Sequence, residues 1–339
     1  MAVTRISKTR IPKFAYIALA SAASIALGIG VSGCAQSAEV PVGDTKTVTL
    51  VAHDSFAMSQ ELIAAFEAET NYKLEIIKSG DAGAMTNKLV LTKDQPLGDV
   101  VFGIDNTYAS VAIKNSIIDG ELTAIDFGDV CLNYDKNWFA KNETPAPTSL
   151  DDLTKPDYKG LTVLTNPASS SPGMAFLAAA VATFGDAGYG QYLQALKNND
   201  VKIAAGWEDA YFTDFSGSSG KGAYPIVLSY STSPAFEVRD DGQSQTASVL
   251  DGCFRQTEYA GVLAGTDNPA GAKALIDFML ADQFQTALPD AMYVYPINKS
   301  IALPEAWTEW APVADNPVGA DLDIAANREK WLSTWSEIF

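Results

Sequence analysis

From residue 47 onward, short apolar runs alternate with segments whose apolar positions recur every three or four residues. The runs 47–52, 74–78 and 98–104 read as strands, and the third is apolar enough at its centre for burial on both faces. Between them, 59–70 carries Leu62, Ala65, Phe66 and Glu69 at helical spacing. A helix over 84–92 follows the glycine-rich turn Ser79-Gly80-Asp81-Ala82-Gly83. Further strands are expected over 128–134, 161–164, 201–205, 226–228 and 253–263, and helices over 174–184, 189–198, 271–288 and 327–339. In the last of these Trp331 and Trp335 stand four apart on one face, which suits core packing. This alternation predicts an α/β protein with mixed, mostly parallel sheets and helices on both faces.

Ligands of such sheets bind beyond the carboxyl ends of the strands, so the polar residues there are candidates. Asp54 and Ser55 follow the first strand, and Asp105 and Asn106 follow the third. The two aspartates suit a cation or an amino group. They equally suit capping of the next helix. Ser170 and Ser171, within Ser169-Ser170-Ser171-Pro172-Gly173, open a helix; they cap it or face a ligand's hydroxyl or phosphate. The strand at 226–228 breaks into Ser229-Tyr230-Ser231-Thr232-Ser233-Pro234-Ala235-Phe236, with Gly206-Trp207 and Ala210-Tyr211 upstream. Trp207, Tyr211, Tyr230 and Phe236, with Tyr293 in a late aromatic segment, are faces for a flat polar molecule. Their alternative duty is ordinary core packing.

Charge and the rarer residues narrow the chemistry. Lys and Arg number 23 against 41 Asp and Glu, a net charge of −18. That balance argues against nucleic acid as a partner. A single histidine, His53, rules out a multi-histidine metal site and disfavours a Ser-His-Asp triad. Ser216-Gly217-Ser218-Ser219-Gly220-Lys221-Gly222 lacks the ending of a phosphate loop. The N-terminus is different in kind: Arg5, Lys8, Arg10 and Lys13 precede an apolar run over 14–31. Residues 1–33 read as a secretory signal peptide and 34–46 as a flexible tether. Val31-Ser32-Gly33-Cys34 resembles a bacterial lipoprotein processing site, which implies cleavage before Cys34 and lipid on its sulfur.

Taken in order, several segments resemble the bacterial thiamine-binding proteins, extracytoplasmic solute-binding proteins of ABC importers. They are Asp54-Ser55-Phe56-Ala57, Gly103-Ile104-Asp105-Asn106, Tyr134-Asp135-Lys136-Asn137, Ser170-Ser171-Pro172-Gly173, Gly206-Trp207, Ser229-Tyr230-Ser231-Thr232-Ser233-Pro234-Ala235 and Tyr295-Pro296. The resemblance implies a two-lobe, periplasmic-binding-protein-like (type II) fold, with 47–128 and 252–339 as one lobe and 129–251 as the other. It implies a monomeric, lipid-anchored receptor outside the cell membrane, without enzymatic activity or cofactor. Such a receptor binds thiamine or its phosphates between the lobes and delivers it to ABC permease subunits with their ATPase. By matched position Trp207 and Tyr230 belong to the ligand set, with Phe236 where the family often has tyrosine. Ser170 falls at the turn facing the hydroxyethyl or phosphate end. The chain departs from the family at Tyr293 (tryptophan in enterobacterial members), at His53 (tyrosine) and at Gln60 (an aromatic). A polyamine or ferric iron is the alternative ligand, and a secreted carboxylate-pair hydrolase the alternative class. Export also places Cys131 and Cys253 where a disulfide forms. They sit on strands expected to cross between lobes, and a disulfide between them is expected over two buried thiols.

Overall fold

A computed structural model describes residues 46–219 and 221–339. The expected signal peptide, the lipidation residue Cys34 and the tether up to residue 45 lie outside the described residues. In chain order the elements are β1 (Thr47–Ala52), α1 (Gln60–Thr70), β2 (Lys73–Lys78), α2 (Ala82–Leu91), β3 (Val100–Asp105), α3 (Ala109–Lys114), β4 (Ile118–Asp135) and α4 (Lys136–Lys141). There follow β5 (Thr162–Thr165), α5 (Ser171–Asn198), β6 (Lys202–Ala204), β7 (Ile226–Tyr230), α6 (Ser233–Phe236) and β8 (Thr246–Leu263). The chain ends with α7 (Pro269–Leu280), α8 (Asp282–Met292), β9 (Tyr295–Pro296), α9 (Trp307–Trp310) and α10 (Ile324–Ile338).

The strands lie in the order β2-β1-β3-β8-β4-β7-β5-β6, with β9 on β4. Burial on both faces explains the continuous apolar runs. Val48, Leu50 and Phe102 pack on one side with Phe66, Leu275 and Met279. Val51, Val101 and Ile104 pack on the other with Met85, Leu89 and the α5 and α10 side chains, Trp331 and Trp335 among them. This is the α/β fold expected, in two lobes threaded on the same two long strands.

Those strands, β4 and β8, were only half visible in the sequence. Each is 18 residues long, a span of roughly 60 Å. β3 pairs with the far half of β8, from Val262 to Glu258. β7 pairs with the far half of β4, from Val130 to Tyr134. The sheet is therefore evenly mixed rather than mostly parallel: β1, β2 and β3 run parallel, as do β5, β6 and β7, and the central pairings are antiparallel. Between the two halves the β4–β8 register shifts, from Val130 opposite Phe254 to Leu132 opposite Val249. Gly252, at φ +80°, sits in that irregularity. The disulfide Cys131–Cys253 closes it, with Cα atoms 4.5 Å apart.

One helical expectation changes. The helix expected over 271–288 is α7 and α8, separated where Ala281 adopts extended backbone (φ −70°, ψ 148°). The two helices expected over 174–184 and 189–198 are present as the two parts of α5, separated at Gly185 (φ 71°, ψ 165°), a conformation open to glycine alone at low cost.

Candidate functional site

A cavity of about 280 Å³ opens between the ends of β1, β7, α2, α5 and α8 and the middle of β8. Its walls are aromatic. Trp207 follows β6 and stacks on Tyr211 with centroids 5.1 Å apart. Tyr230, the last residue of β7, meets Trp207 edge-on at 6.2 Å. Across the mouth Phe236 and Tyr293 form a second edge-to-face pair at 4.8 Å.

Trp207, Tyr211 and Tyr230 are each held by a polar end. The Trp207 indole Nε1 donates to Ser229 Oγ at 2.8 Å, and Ser229 Oγ lies 2.7 Å from Ser233 Oγ. The hydroxyls that break the apolar run after Leu228 thus anchor the tryptophan and, through Ser233, the Tyr230 N–H. Tyr230 OH donates to Gln256 Oε1, whose amide donates to Ser171 Oγ. Tyr211 OH donates to Glu237 Oε1 at 3.1 Å. Burial raises the hydroxyls of Tyr211 and Tyr230 well above the ordinary tyrosine range, so both remain neutral donors. Gly128 leaves room for the Tyr230 ring: a Cβ there would stand 2.9 Å from its Cδ1.

The polar floor comes from the end of β1, from β8 and from the start of α2. Asp81, the residue before α2, accepts from Trp207 N (2.9 Å) and Ser171 N (3.1 Å). Burial raises its carboxyl, and those N–H groups oppose the shift. His53, at the end of β1, lies with Nε2 3.5 Å from Glu258 Oε1. Burial, then the charge of Lys78, lowers His53 to about 4, so the ring is neutral at neutral pH. Gly103, at φ +98°, makes space for it, because a Cβ there would fall 2.2 Å from His53 Cδ2. Glu258 is paired across the sheet with Asp105 on one side and Asp126 on the other.

Of the sequence candidates, Ser55, Ser171, Trp207, Tyr211, Tyr230, Phe236 and Tyr293 line this one cavity. Asp54, Asp105, Asn106 and Ser170 do not, and each has a local structural duty. Asp54 Oδ1 accepts from Gly80 N. Asp105 is fully buried, its Oδ1 accepting from Thr107 Oγ1, Thr107 N and Tyr108 N. Asn106 bonds the β8 backbone at Arg255 and Thr257. Ser170 caps α5 and donates to Thr165 Oγ1. The capping alternative therefore describes Ser170, whereas Asp105 closes a turn ahead of α3. Sequence reasoning missed Asp81, Glu258 and the lining role of His53. The available signals were an aspartate before two small residues at a helix start, and Gln256 and Glu258 two apart on one face of a strand.

Residues 102–315 match the bacterial extracellular solute-binding protein family. The chain is 28% identical to the thiamine-binding periplasmic protein of Escherichia coli K12, over 87% of this chain and 94% of that relative. It is 27% identical to the protein of the same name from Brucella suis, over 85% and 91%. Among solved structures it is similar to a periplasmic thiamin binding protein, with a TM-score of 0.73 and 25% identity over 86% of this chain and 96% of that one. Iron-bound HitA from Pseudomonas aeruginosa shares the fold, with a TM-score of 0.68 at 19% identity, over 86% and 99% of the two chains.

Proposed function

Since this chain belongs to the bacterial extracellular solute-binding proteins, which bind rather than transform their solutes, we propose that it is a receptor for thiamine or its phosphates. The observation that carries this reading is the pairing of an aromatic wall with a carboxyl floor in one cavity. Thiamine joins a flat aminopyrimidine, a cationic thiazolium and a hydroxyethyl tail. The faces of Trp207 and Tyr230 suit the rings and the cation. The carboxyls suit the amino group. Ser171, at the start of α5, suits the tail. Relatives named for thiamine binding, aligned over most of both chains, support the same ligand.

The lobes we assign are 47–128 with 252–339, and 129–251, closing on the ligand about the β4–β8 crossing. Lipid on Cys34 holds the receptor at the outer face of the membrane, where it hands its solute to an ABC permease. No helix among the described residues is long and apolar enough to cross a membrane. Ferric iron is the weaker reading. Among the described residues, no group of three or more His, Cys, Asp or Glu side chains is arranged to hold a metal ion.

Thermal unfolding with added ligands tests the proposal. Ligand at 100 times Kd stabilises by about 2.7 kcal/mol, a rise of several degrees. Thiamine should raise the midpoint, and spermidine and ferric citrate should not. A shift with spermidine alone would replace thiamine by a polyamine.

A further inference from the structure

Glu208 is an exposed residue that follows Trp207 in the chain, and both side chains line the cavity. It stands after β6, in the stretch assigned to one lobe, while Ser55 follows β1 in the other and lines the cavity too. The Ser55 hydroxyl donates to Glu208 Oε1 at 3.3 Å, across 153 residues of chain. Among the described residues that is the one hydrogen bond the Glu208 carboxylate takes. The residues lining the cavity include no lysine and no arginine, so no cationic side chain of the wall answers it.

The other carboxyls of the wall are engaged or stand elsewhere. Asp81 accepts from Trp207 N and Ser171 N. Glu258 is nearly buried and shares a hydrogen bond with Asp126. Asp290, exposed near the end of α8, lies by Tyr293. Glu208 is thus the carboxylate that adjoins Trp207 at the exposed edge of the cavity with an oxygen to spare. An aromatic face attracts a cation, yet it also stacks a neutral ring of the same shape. A quaternary ring nitrogen has no hydrogen to donate, so hydrogen bonding cannot select it. A carboxylate beside the ring selects it by charge, to a modest degree at an exposed edge.

We propose that Glu208 is a specificity-determining residue: it is the counter-ion of a cationic ring held against Trp207, and through it the site prefers that cation to a neutral ring of the same shape. Ser55 positions the carboxylate from the opposite lobe, so the counter-ion is in place when the lobes are together. This rests on the thiamine reading and puts the thiazolium at the mouth of the cavity.

The test compares two probes, thiamine and the analogue in which an uncharged thiophene replaces the thiazolium, titrated calorimetrically into the full mature protein. The wild-type protein should bind thiamine about 10- to 100-fold more tightly than the thiophene analogue, through the aromatic face and the carboxylate together. In Glu208→Gln that ratio should fall about 3- to 10-fold, with affinity for the neutral analogue unchanged within about twofold. Ser55→Ala should move the ratio the same way by about two- to threefold. Asp209→Asn removes the same charge one residue further on, at an exposed position outside the cavity wall, and should leave the ratio within about twofold of wild type. Unfolding curves establish that the variants are folded, and Glu208→Ala, expected to show the same fall, replaces the glutamine variant should that one not fold. A ratio unchanged in the folded Glu208 variant, or lowered equally in Asp209→Asn, overturns the inference and leaves the thiamine receptor standing. Failure of both probes to bind the wild type overturns the receptor reading and this inference with it.

Discussion

The Asp81 carboxylate accepts the backbone N–H of Trp207 at 2.9 Å, joining the start of α2 to the loop after β6 across 126 residues of chain. Its other oxygen holds Ser171 N. One side chain from the β1–β3 half of the sheet thus fixes two site residues from the β5–β7 half. Removing it strands two N–H groups, so Asp81→Ala should cost about 1–3 kcal/mol in urea unfolding. Asp81→Asn, which keeps one acceptor oxygen, should cost less. An alanine variant as stable as wild type would mean that these bonds are absent in solution.

Trp207 is half-buried, and its indole is oriented by Ser229. Stacking on an aromatic is worth roughly 1–3 kcal/mol by alanine substitution. At about 1.4 kcal/mol per decade, Trp207→Ala should weaken thiamine binding about 5- to 150-fold. Trp207→Phe keeps a face and should recover much of that loss. A variant that binds as wild type but melts much earlier would make the residue core rather than site.

The buried acids give stability a pH dependence of definite sign. Asp105 and Asp126 are raised to about 7 and about 8, chiefly by burial. The unfolded chain releases those protons near pH 4, so the folded protein binds more protons up to about pH 8. Their contribution is therefore fully present below the unfolded values and is lost as pH rises through 7 to 8. His53, lowered to about 4, acts oppositely and only below about 6.5. Between about pH 6.5 and 8.5 the melting temperature should fall, and Asp126→Asn should flatten the fall. A wild-type melting temperature that rises across this window would contradict the assignment.

Cys131 and Cys253 are 122 residues apart and tie β4 to β8 where their register shifts. Closing so long a loop should stabilise by about 2–5 kcal/mol. The Cys131→Ser, Cys253→Ser double variant should lose that amount in urea unfolding. Alkylation of the unfolded, unreduced wild type should label neither cysteine, and labelling of both would remove the bond from this account.

What the sequence disclosed follows a physical division. Trp207, Tyr230 and Ser171 were legible because they end strands or begin helices, where α/β sheets bind ligands. Asp105 stayed open between two duties because an aspartate at a strand end serves a local turn and a ligand equally well, and only its bonds to Thr107 and Tyr108 decide for the turn. Glu258 and Asp126 were hidden because they lie mid-strand. Their meaning comes from cross-strand register, which couples positions 132 residues apart. The first half of β4 escaped notice because Asp119, Gly120 and Glu121 break its apolar run.

The central claim is that one cavity holds one thiamine. The most direct measurement is calorimetric titration of thiamine into protein unfolded, dialysed free of small molecules and refolded. The account predicts saturable binding with one ligand per chain. A flat titration with folded protein, or saturable heat with spermidine and none with thiamine, would contradict it.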